Sequence, residues 1–494
     1  MTELTRPTAP IELTGSESRF TGPTFQPDDQ LITRLQGICE TITSATATAE
    51  ASRDWWPLAM HWSLTGSVPQ RAGAVCRPTD AQQVAAVLSA CSTNGVPVTA
   101  AGGRSGVSGA SVPAFGGVVL DLTAMQGIIE IDAESGVVEV WAGTFGPELE
   151  TELRLRCAMT IGHFPQSFDI ATVGGWVACR GAGQYSTRYG KIDEMVVGLE
   201  VVLADGTVLC TGHGPAAAMG PDLTRLFLGS EGTLGVITRV WLRAHPVPTH
   251  ERRAAYTFAD FEAGIEACRL ILRRGATPAV LRLYDAVETQ RGHGGDGSRC
   301  ALLVLDEGDI GLVEATLGVV EDECASAAPA SDDLVEHWLT HRNDTNALQE
   351  LTRKGFVVDT MEIAAPWSRL TTIFTETREA LLAVPHARAA SCHLSHSYLD
   401  GACLYFTFAA NPPPDQIEAT YVAMWDAGQR AVLAAGGNVS HHHGIGLNRA
   451  RFMAESMGSS LFVLQSLKDA LDPAGILNPG KLGLSSQFGT VGWP

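Results

Sequence analysis

Thr160 to Gly190 runs TIGHFPQSFDIATVGGWVACRGAGQYSTRYG, which places Gly162, Gly174, Gly175, Gly181, Gly183 and Gly190 among polar and aromatic residues. Its apolar side chains are too few at regular spacing to predict a helix or a strand. Glycines at this density let the backbone reach positive φ or approach a ligand closely, so N–H groups can be aimed at something bulky and anionic. A cofactor is the natural candidate. A long glycine-rich surface loop would have the same composition, and the segment alone leaves that alternative open.

Two companion segments argue against it. Upstream, Val96 to Ser111 reads VPVTAAGGRSGVSGAS, a short β-like run that breaks into Gly102, Gly103, Arg104, Ser105, Gly106, Ser108 and Gly109. Downstream, Leu228 to Thr238 reads LGSEGTLGVIT, where a glycine turn feeds a β-branched strand from Val236 to Val240. Three backbone cradles so close in one chain point to one extended ligand.

Length and composition bound the remainder. At 494 residues the chain is too long for one core and predicts two or three domains, and 45% hydrophobic residues are ordinary for a globular protein. A net charge of −20 without a basic run leaves no nucleic-acid footprint. The 11 cysteines are scattered singly with no C-x-x-C pair, which predicts free thiols in a reducing compartment. The N-terminus MTELTRPTAP lacks a basic region followed by an apolar one, and no window of 18 apolar residues occurs. A cytoplasmic location is expected.

Residues 1 to about 26 are rich in Thr, Pro, Ser and Glu and are expected to be poorly ordered. Asp28 or Asp29 caps a small docking helix with Leu31, Ile32, Leu35 and Ile38 on its apolar face, and Trp55 and Trp56 are read as pinning this segment to a domain. From about Arg71 the pattern is α/β. Thr79 with Gln82 fits a capping box before the stripe Val84, Val87, Leu88 and Cys91, and Asn94-Gly95 ends the helix. Strands are predicted at Gly116–Leu122, Gly136–Ala142 and Glu194–Leu203, a helix at Gly146–Leu155, and a hairpin at Asp205-Gly206. Composition shifts at Pro246 to Pro248. Beyond it, helices are predicted at Phe258–Leu272, Ile310–Cys324 and Ile417–Ala435, and strands at Val280–Tyr284, Cys300–Asp306 and Ala402–Ala409. Arg291 to Arg299 matches G-x-G-x-x-G at Gly292, Gly294 and Gly297, but with no apolar strand before it and no apolar helix after it, it reads as a loop.

The cradles together resemble the flavin domain of the vanillyl-alcohol oxidase superfamily, the p-cresol methylhydroxylase (PCMH) type. IGHFPQSFDIATVGGWVACRGAG, GPDLTRLFLGSEGTLGVIT and, at Asn438 to Gly446, NVSHHHGIG resemble the alkyldihydroxyacetonephosphate synthase branch more closely. The resemblance implies an α+β fold: a two-subdomain FAD-binding PCMH-type domain, an antiparallel-sheet substrate domain, and a C-terminal segment that caps the flavin. The corresponding boundaries are 1–70 for the tail and docking helix, 71–245, 246–437 and 438–494.

It also implies non-covalent FAD, since the histidine through which covalent relatives often attach the flavin is absent from Ala100 to Ser111. Cofactor contacts are expected at Gly102, Gly103, Arg104, Ser105 and Gly106, and at Pro165, Gln166, Ser167, Asp169, Ala171 and Thr172. They continue at Gly174, Gly175, Ala178, Cys179, Arg180 and Gly181, and at Glu231, Gly232, Thr233, Gly235, Val236 and Ile237. Arg282 in LRLYD matches the family's substrate-binding arginine, Tyr405 in ACLYF its active-site tyrosine, and His441, His442 and His443 its histidine triplet. A guanidinium suits a phosphate, a phenol can relay a proton, and an imidazole can deprotonate an alcohol. In that family the flavin N5 captures the substrate carbon, a fatty acid leaves, and a long-chain alcohol replaces it with no net redox change. The sequence departs from the family at Ala216 to Met219, where a basic residue is expected.

No metal is expected, because adjacent histidine side chains diverge whereas metal sites gather ligands at helical or strand spacing. The competing reading is an FAD-linked 2-hydroxyacid or alcohol oxidoreductase, which DPAGILNPGKLG near the C-terminus also resembles. Its metal-using members carry H-x-G-D-G-N-x-H, and in the comparable HSYLDGACLY, His396 to Tyr405, the second histidine is missing. The substrate is expected to be a small or lipid-like molecule, with no nucleic-acid partner. A peripheral membrane contact to collect a lipid and a homodimer stay open.

Overall fold

The computed structural model describes residues 9–212, 214–344 and 346–493. A first sheet is built from the short β-branched runs near the N-terminal side. Ala74–Arg77, Val118–Asp121 and Val98–Ala101 lie parallel in that spatial order, with Glu40–Ile42 antiparallel on the outer edge. The crossover helix Ala81–Asn94 buries Val84, Val87, Leu88 and Cys91 and closes at Gly95, whose φ of 61° only glycine adopts freely. Its cap sits one residue later than the spacing predicts. Asp80 accepts the Gln83 N–H at 2.8 Å, while the Thr79 N–H donates to the Gln83 side chain at 2.9 Å.

A second sheet of five antiparallel strands has the order Val208–Thr211, Val196–Val202, Val236–Arg243, Val137–Trp141, Ile128–Asp132. The Asp205-Gly206 turn joins the first two as the sequence predicts. Against this sheet packs a helix that the sequence reading did not anticipate, Val173–Cys179, inside the glycine-rich segment. Thr172 caps it, Val173, Trp176 and Val177 are buried, and Arg180 closes it at φ 54°. The glycine that lowers helix propensity here has a packing reason: a Cβ on Gly174 would lie 2.8 Å from that of Ala142, just past the neighbouring strand Val137–Trp141.

The third sheet is antiparallel throughout, in the order Ala328–Ala330, His250–Phe258, Cys300–Gly308, Val280–Tyr284, Ala387–Ser397, Gly401–Ala410, Val357–Pro366. Side chains on a strand alternate faces. Leu281, Leu283, Cys392, Leu394, Leu404 and Phe406 join the hydrophobic core with helices Phe261–Arg273, Ile310–Glu323, Trp367–Leu382 and Ile417–Ala434. The residues between them, Arg282, Tyr284, His393, Ser395, Tyr405 and Thr407, line a cavity on the opposite face. Gly292 ends the helix Ala286–Gly292, and the strand Cys300–Gly308, rather than a helix, follows Gly297, so the G-x-G-x-x-G match has no dinucleotide-binding context.

The N-terminal tail departs from expectation. Residues 1–8 lie outside the described residues, but Ala9 and Ile11 are buried, Glu17–Ser18 pairs in parallel with Ser67–Val68, and Phe20 meets Trp62 edge-on at 5.8 Å. The docking helix is Asp29–Gln36 with Asp28 as its cap. Trp56 does pin this segment: its indole N–H donates to Tyr421 at 2.9 Å, and the Tyr421 hydroxyl donates to buried Asp359 at 2.5 Å. Trp55 packs against the cluster of Ala9, Ile11 and Met60 and also lines the cavity. At the other end, Val98 bridges to Leu477, and Lys481 donates to the Val112 carbonyl at 2.8 Å, so the C-terminal segment lies beside the first glycine cradle. Among the described residues, no helix is long and apolar enough to cross a membrane.

The shifted cap gives a direct check on the helix Ala81–Asn94. Asp80→Ala should lower stability by about 1 kcal/mol in urea unfolding followed by circular dichroism. Thr79→Ala should cost distinctly less, and the reverse ranking would restore Thr79 as the cap.

Candidate active site

The three cradles and the polar face of the large sheet enclose one cavity of about 590 Å³. Every cofactor contact expected from the sequence lines it except Arg180 and Thr233. The left-handed backbone at Arg180 sends its side chain outward to Asp193 at 2.7 Å, and Thr233 turns inward to donate to the Ser230 carbonyl at 2.7 Å. Two further residues reach the wall with their charges already engaged. Arg104 pairs with Asp121 at 3.1 Å, and the Glu231 carboxylate accepts the N–H groups of Ile445 at 2.5 Å and Gly446 at 2.9 Å.

The glycines divide into two kinds. A Cβ on Gly102 would lie 2.1 Å from the Thr172 hydroxyl, and one on Gly103 would lie 1.9 Å from the Ile170 carbonyl oxygen. These two glycines therefore let the first and second cradles pack on each other. Around Gly106, Gly175 and Gly232 the nearest atoms are 3.8, 3.3 and 3.5 Å away, so at Gly106 and Gly232 a flat ligand can approach the backbone itself. A long groove walled by backbone, apolar Val236 and Ile237, and small residues such as Ala171 and Ala178 fits an extended dinucleotide such as FAD.

The substrate-sheet side is cationic and aromatic. Arg282 donates from Nε to the Tyr284 hydroxyl and from Nη2 to His393 Nε2, both at 2.7 Å. Arg342, on the chain following helix Asp333–His341, also lines the cavity, and the Trp338 ring lies 5.8 Å from the Arg282 guanidinium carbon and 5.5 Å from that of Arg342. Two guanidiniums beside one indole favour an anionic ligand group. Sequence reading missed Arg342, His393 and Glu288 because each sits in a different segment and none belongs to a local motif.

The histidine triplet sits on a loop rather than on a helix or strand. His442 and His443 face the cavity beside Tyr405, with ring centroids 6.0 and 5.5 Å from the phenol. His441 does not line it. Its Nδ1 is 2.8 Å from His442 Nδ1, and its Nε2 is 2.7 Å from the Tyr398 hydroxyl, so the structure places it behind His442 and, contrary to expectation, off the cavity wall. The divergence of adjacent side chains does not keep the triplet from meeting a third histidine brought in from elsewhere. His396 arrives from the strand Ala387–Ser397, so that ring nitrogens of His396, His441 and His442 lie within 4.8 Å of one another.

Burial sets the protonation states. It drives His442 and His396 well below the ordinary imidazole range, with positively charged or imidazole neighbours adding to the effect, so both are neutral near pH 7. Burial also pushes the Tyr405 phenol up, so it keeps the proton it donates to Thr360 Oγ1 at 3.1 Å.

The same reasoning bears on flavin attachment. His163 is fully buried, does not line the cavity, and is pushed by burial down to about 3. Cys179 does line it, but burial, aided by Glu231, raises its thiol to about 12, leaving little thiolate. Acid precipitation of the purified protein should therefore leave the yellow colour in the supernatant. A coloured pellet that turns colourless in Cys179→Ser would identify a covalent thioether instead.

Comparison with known proteins agrees with this geometry. Residues 72–212 match the family model of the FAD binding domain, and 247–482 match that of the FAD linked oxidases, C-terminal domain. The chain is 34% identical to the uncharacterized FAD-linked oxidoreductase YgcU of Escherichia coli O157:H7, over 86% of this chain and 90% of that one. It is 26% identical to the alkyldihydroxyacetonephosphate synthase of Caenorhabditis elegans, over 84% and 77%. Among solved structures, an alkyldihydroxyacetonephosphate synthase superposes with a TM-score of 0.76 at 22% identity, covering 95% of this chain and 89% of that one. p-Cresol methylhydroxylase superposes with 0.74 at 17% identity, covering 94% and 99%. With both halves of the cavity matched by the two family models, the chain belongs to the FAD-linked oxidase family, with FAD as cofactor and a fold like that of p-cresol methylhydroxylase.

Proposed function

We propose that this flavoenzyme acts as an alkyldihydroxyacetonephosphate synthase, exchanging the acyl group of an acyl-dihydroxyacetone phosphate for a long-chain alcohol. The observation that carries the reading is the convergence of Arg282, Tyr405, His442 and His443 on one cavity beside the cofactor groove. The relatives that carry the synthase name in Caenorhabditis elegans and Dictyostelium discoideum support it. When bound along the cradles at residues 102–106, 165–181 and 231–237, FAD would supply an electrophilic ring system.

The residues divide the remaining work. Arg282 binds the phosphate through the guanidinium donors not used by Tyr284 and His393. Tyr405, kept protonated, donates a hydrogen bond to the departing carboxylate. His442 accepts the proton of the incoming alcohol. In the tautomer that can do so, His442 donates from Nδ1 to His441 Nδ1 and keeps its Nε2 lone pair, while His441 donates from Nε2 to the Tyr398 oxygen. This role for the imidazoles needs no bound ion, so the reaction is read as metal-independent despite the proximity of His396. An oxidoreductase acting on a 2-hydroxyacid is the second reading, favoured by the same arginine pair, which would hold a carboxylate equally well.

Anaerobic mixing separates the two. Acyl-dihydroxyacetone phosphate with a long-chain alcohol should perturb the FAD absorbance transiently, release fatty acid, form an ether, and return to the oxidised spectrum with no electron acceptor. Persistent bleaching by a 2-hydroxyacid, with no ether product, would replace the synthase reading by the oxidoreductase one. Arg282→Ala, Tyr405→Phe and His442→Ala should each keep FAD and lose on the order of 10²-fold or more in rate. Loss of FAD in any of them would make that residue structural. Exhaustive chelation should leave turnover unchanged; turnover lost on chelation and restored by zinc or manganese would make the three histidines metal ligands.

A further inference from the structure

Arg282 is held in an unusual way for a guanidinium that lines a cavity. Its neighbours on the protein side are neutral: the Tyr284 hydroxyl and His393 Nε2, each at 2.7 Å. A guanidinium can only donate, so Nε2 accepts, and the imidazole proton is fixed on Nδ1. From there it donates to Glu288 Oε2 at 2.8 Å, while Glu288 Oε1 accepts from the Ser391 hydroxyl at 3.0 Å. The chain Ser391–Glu288–His393–Arg282–Tyr284 thus has one defined direction of donation at every link. His393 is clamped further by stacking on Tyr405, with ring centroids 4.7 Å apart at 15°.

A carboxylate one imidazole away from an arginine is a different device from a carboxylate on it. A direct pair would cancel the charge and occupy the donors that a substrate anion needs. With the neutral imidazole between them, Glu288 fixes the tautomer and the guanidinium keeps its charge and its remaining donors for the cavity. Burial together with Arg282 pushes His393 down to about 4, consistent with its neutral form.

We infer that Glu288 and His393 are positioning residues that hold Arg282 in its anion-binding orientation, with His393 as the spacer that keeps Glu288 from neutralising it. This rests on the reading of Arg282 as the residue that binds the substrate's anionic group, a phosphate or a carboxylate.

Titration calorimetry on the FAD-loaded protein tests it, using inorganic phosphate and, separately, oxalate as probes. The wild type should bind at least one of them, and Arg282→Ala should lose that binding. His393→Leu should weaken it at least tenfold as the guanidinium falls back on Glu288, and adding Glu288→Gln to that variant should recover most of the loss. At position 288 alone, Gln can still accept the Nδ1 proton and should stay within about threefold of wild type, whereas Leu frees the tautomer and should lose tenfold. FAD content and thermal midpoint report folding, and the position-288 pair serves if His393→Leu does not fold. Unchanged affinity in both His393→Leu and Glu288→Leu would overturn the inference, as would a double variant no tighter than the single one, or a wild type indistinguishable from Arg282→Ala for both anions. The predicted variant pattern with oxalate and no phosphate binding would sustain the positioning role while removing the phosphate-ester substrate.

Discussion

The Glu362 carboxylate, fully buried on the strand Val357–Pro366, organises the loop that carries the histidines. It accepts the Ser440 hydroxyl at 2.6 Å and the backbone N–H groups of His442 at 3.1 Å and His443 at 2.7 Å, lies 3.2 Å from His443 Nδ1, and takes Nη1 and Nη2 of Arg449. Burial would raise its pKa, but the Arg449 charge and the His443 interaction outweigh burial and hold it well below the carboxylate range. Both partners have no solvent exposure, a situation in which removing one alone costs about 3–5 kcal/mol. The Gly444 N–H goes to the Ser440 hydroxyl, and Glu231 does the matching job from the flavin side by capturing the N–H groups of Ile445 and Gly446. A loop with no regular structure of its own is therefore pinned by two carboxylates, one on a strand of the large sheet and one in the turn that leads into the strand Val236–Arg243, and its histidines meet Tyr405 and the cofactor groove at once.

The electrostatics of the cavity follow from this arrangement. Of the carboxylates around it, Glu231, Glu362 and Glu288 are spent on backbone amides, Arg449 and His393, while Arg282, Arg342, the neutral imidazoles of His442 and His393 and the protonated Tyr405 phenol line the wall. Low dielectric keeps those imidazoles neutral, and it strengthens the field of Arg282. One anionic substrate group and one proton to move are the chemistry that such a wall can serve.

Much of this was legible in the sequence where a local pattern had one physical cause. Gly106 and Gly232 announce a close backbone approach, and the alternation in Val137–Trp141 announces a strand. Legibility failed where long-range packing overrode the local signal. Gly174 disguises the helix Val173–Cys179 because the glycine answers to Ala142 across the sheet. The strand Val357–Pro366 went unread because Asp359, Thr360 and Glu362 interrupt its apolar run, each with a distant partner in Tyr421, Tyr405 or Arg449. Arg180 looks like a ligand contact by motif, yet its left-handed backbone turns it to Asp193. Sequence order likewise gives no hint that His441 stands behind His442 or that His396 joins them.

The central claim is that the site exists because two carboxylates hold one loop between two sheets. Hydrogen exchange read by mass spectrometry over residues 438–449 tests it most directly, in a Glu362→Gln, Arg449→Met double variant that removes both buried charges. The account predicts that amides 442–446 lose protection by on the order of 10²-fold, as for local opening, while the strand Gly401–Ala410 and the bound FAD are undisturbed. Unchanged protection of 442–446 in a folded, FAD-loaded variant would contradict it.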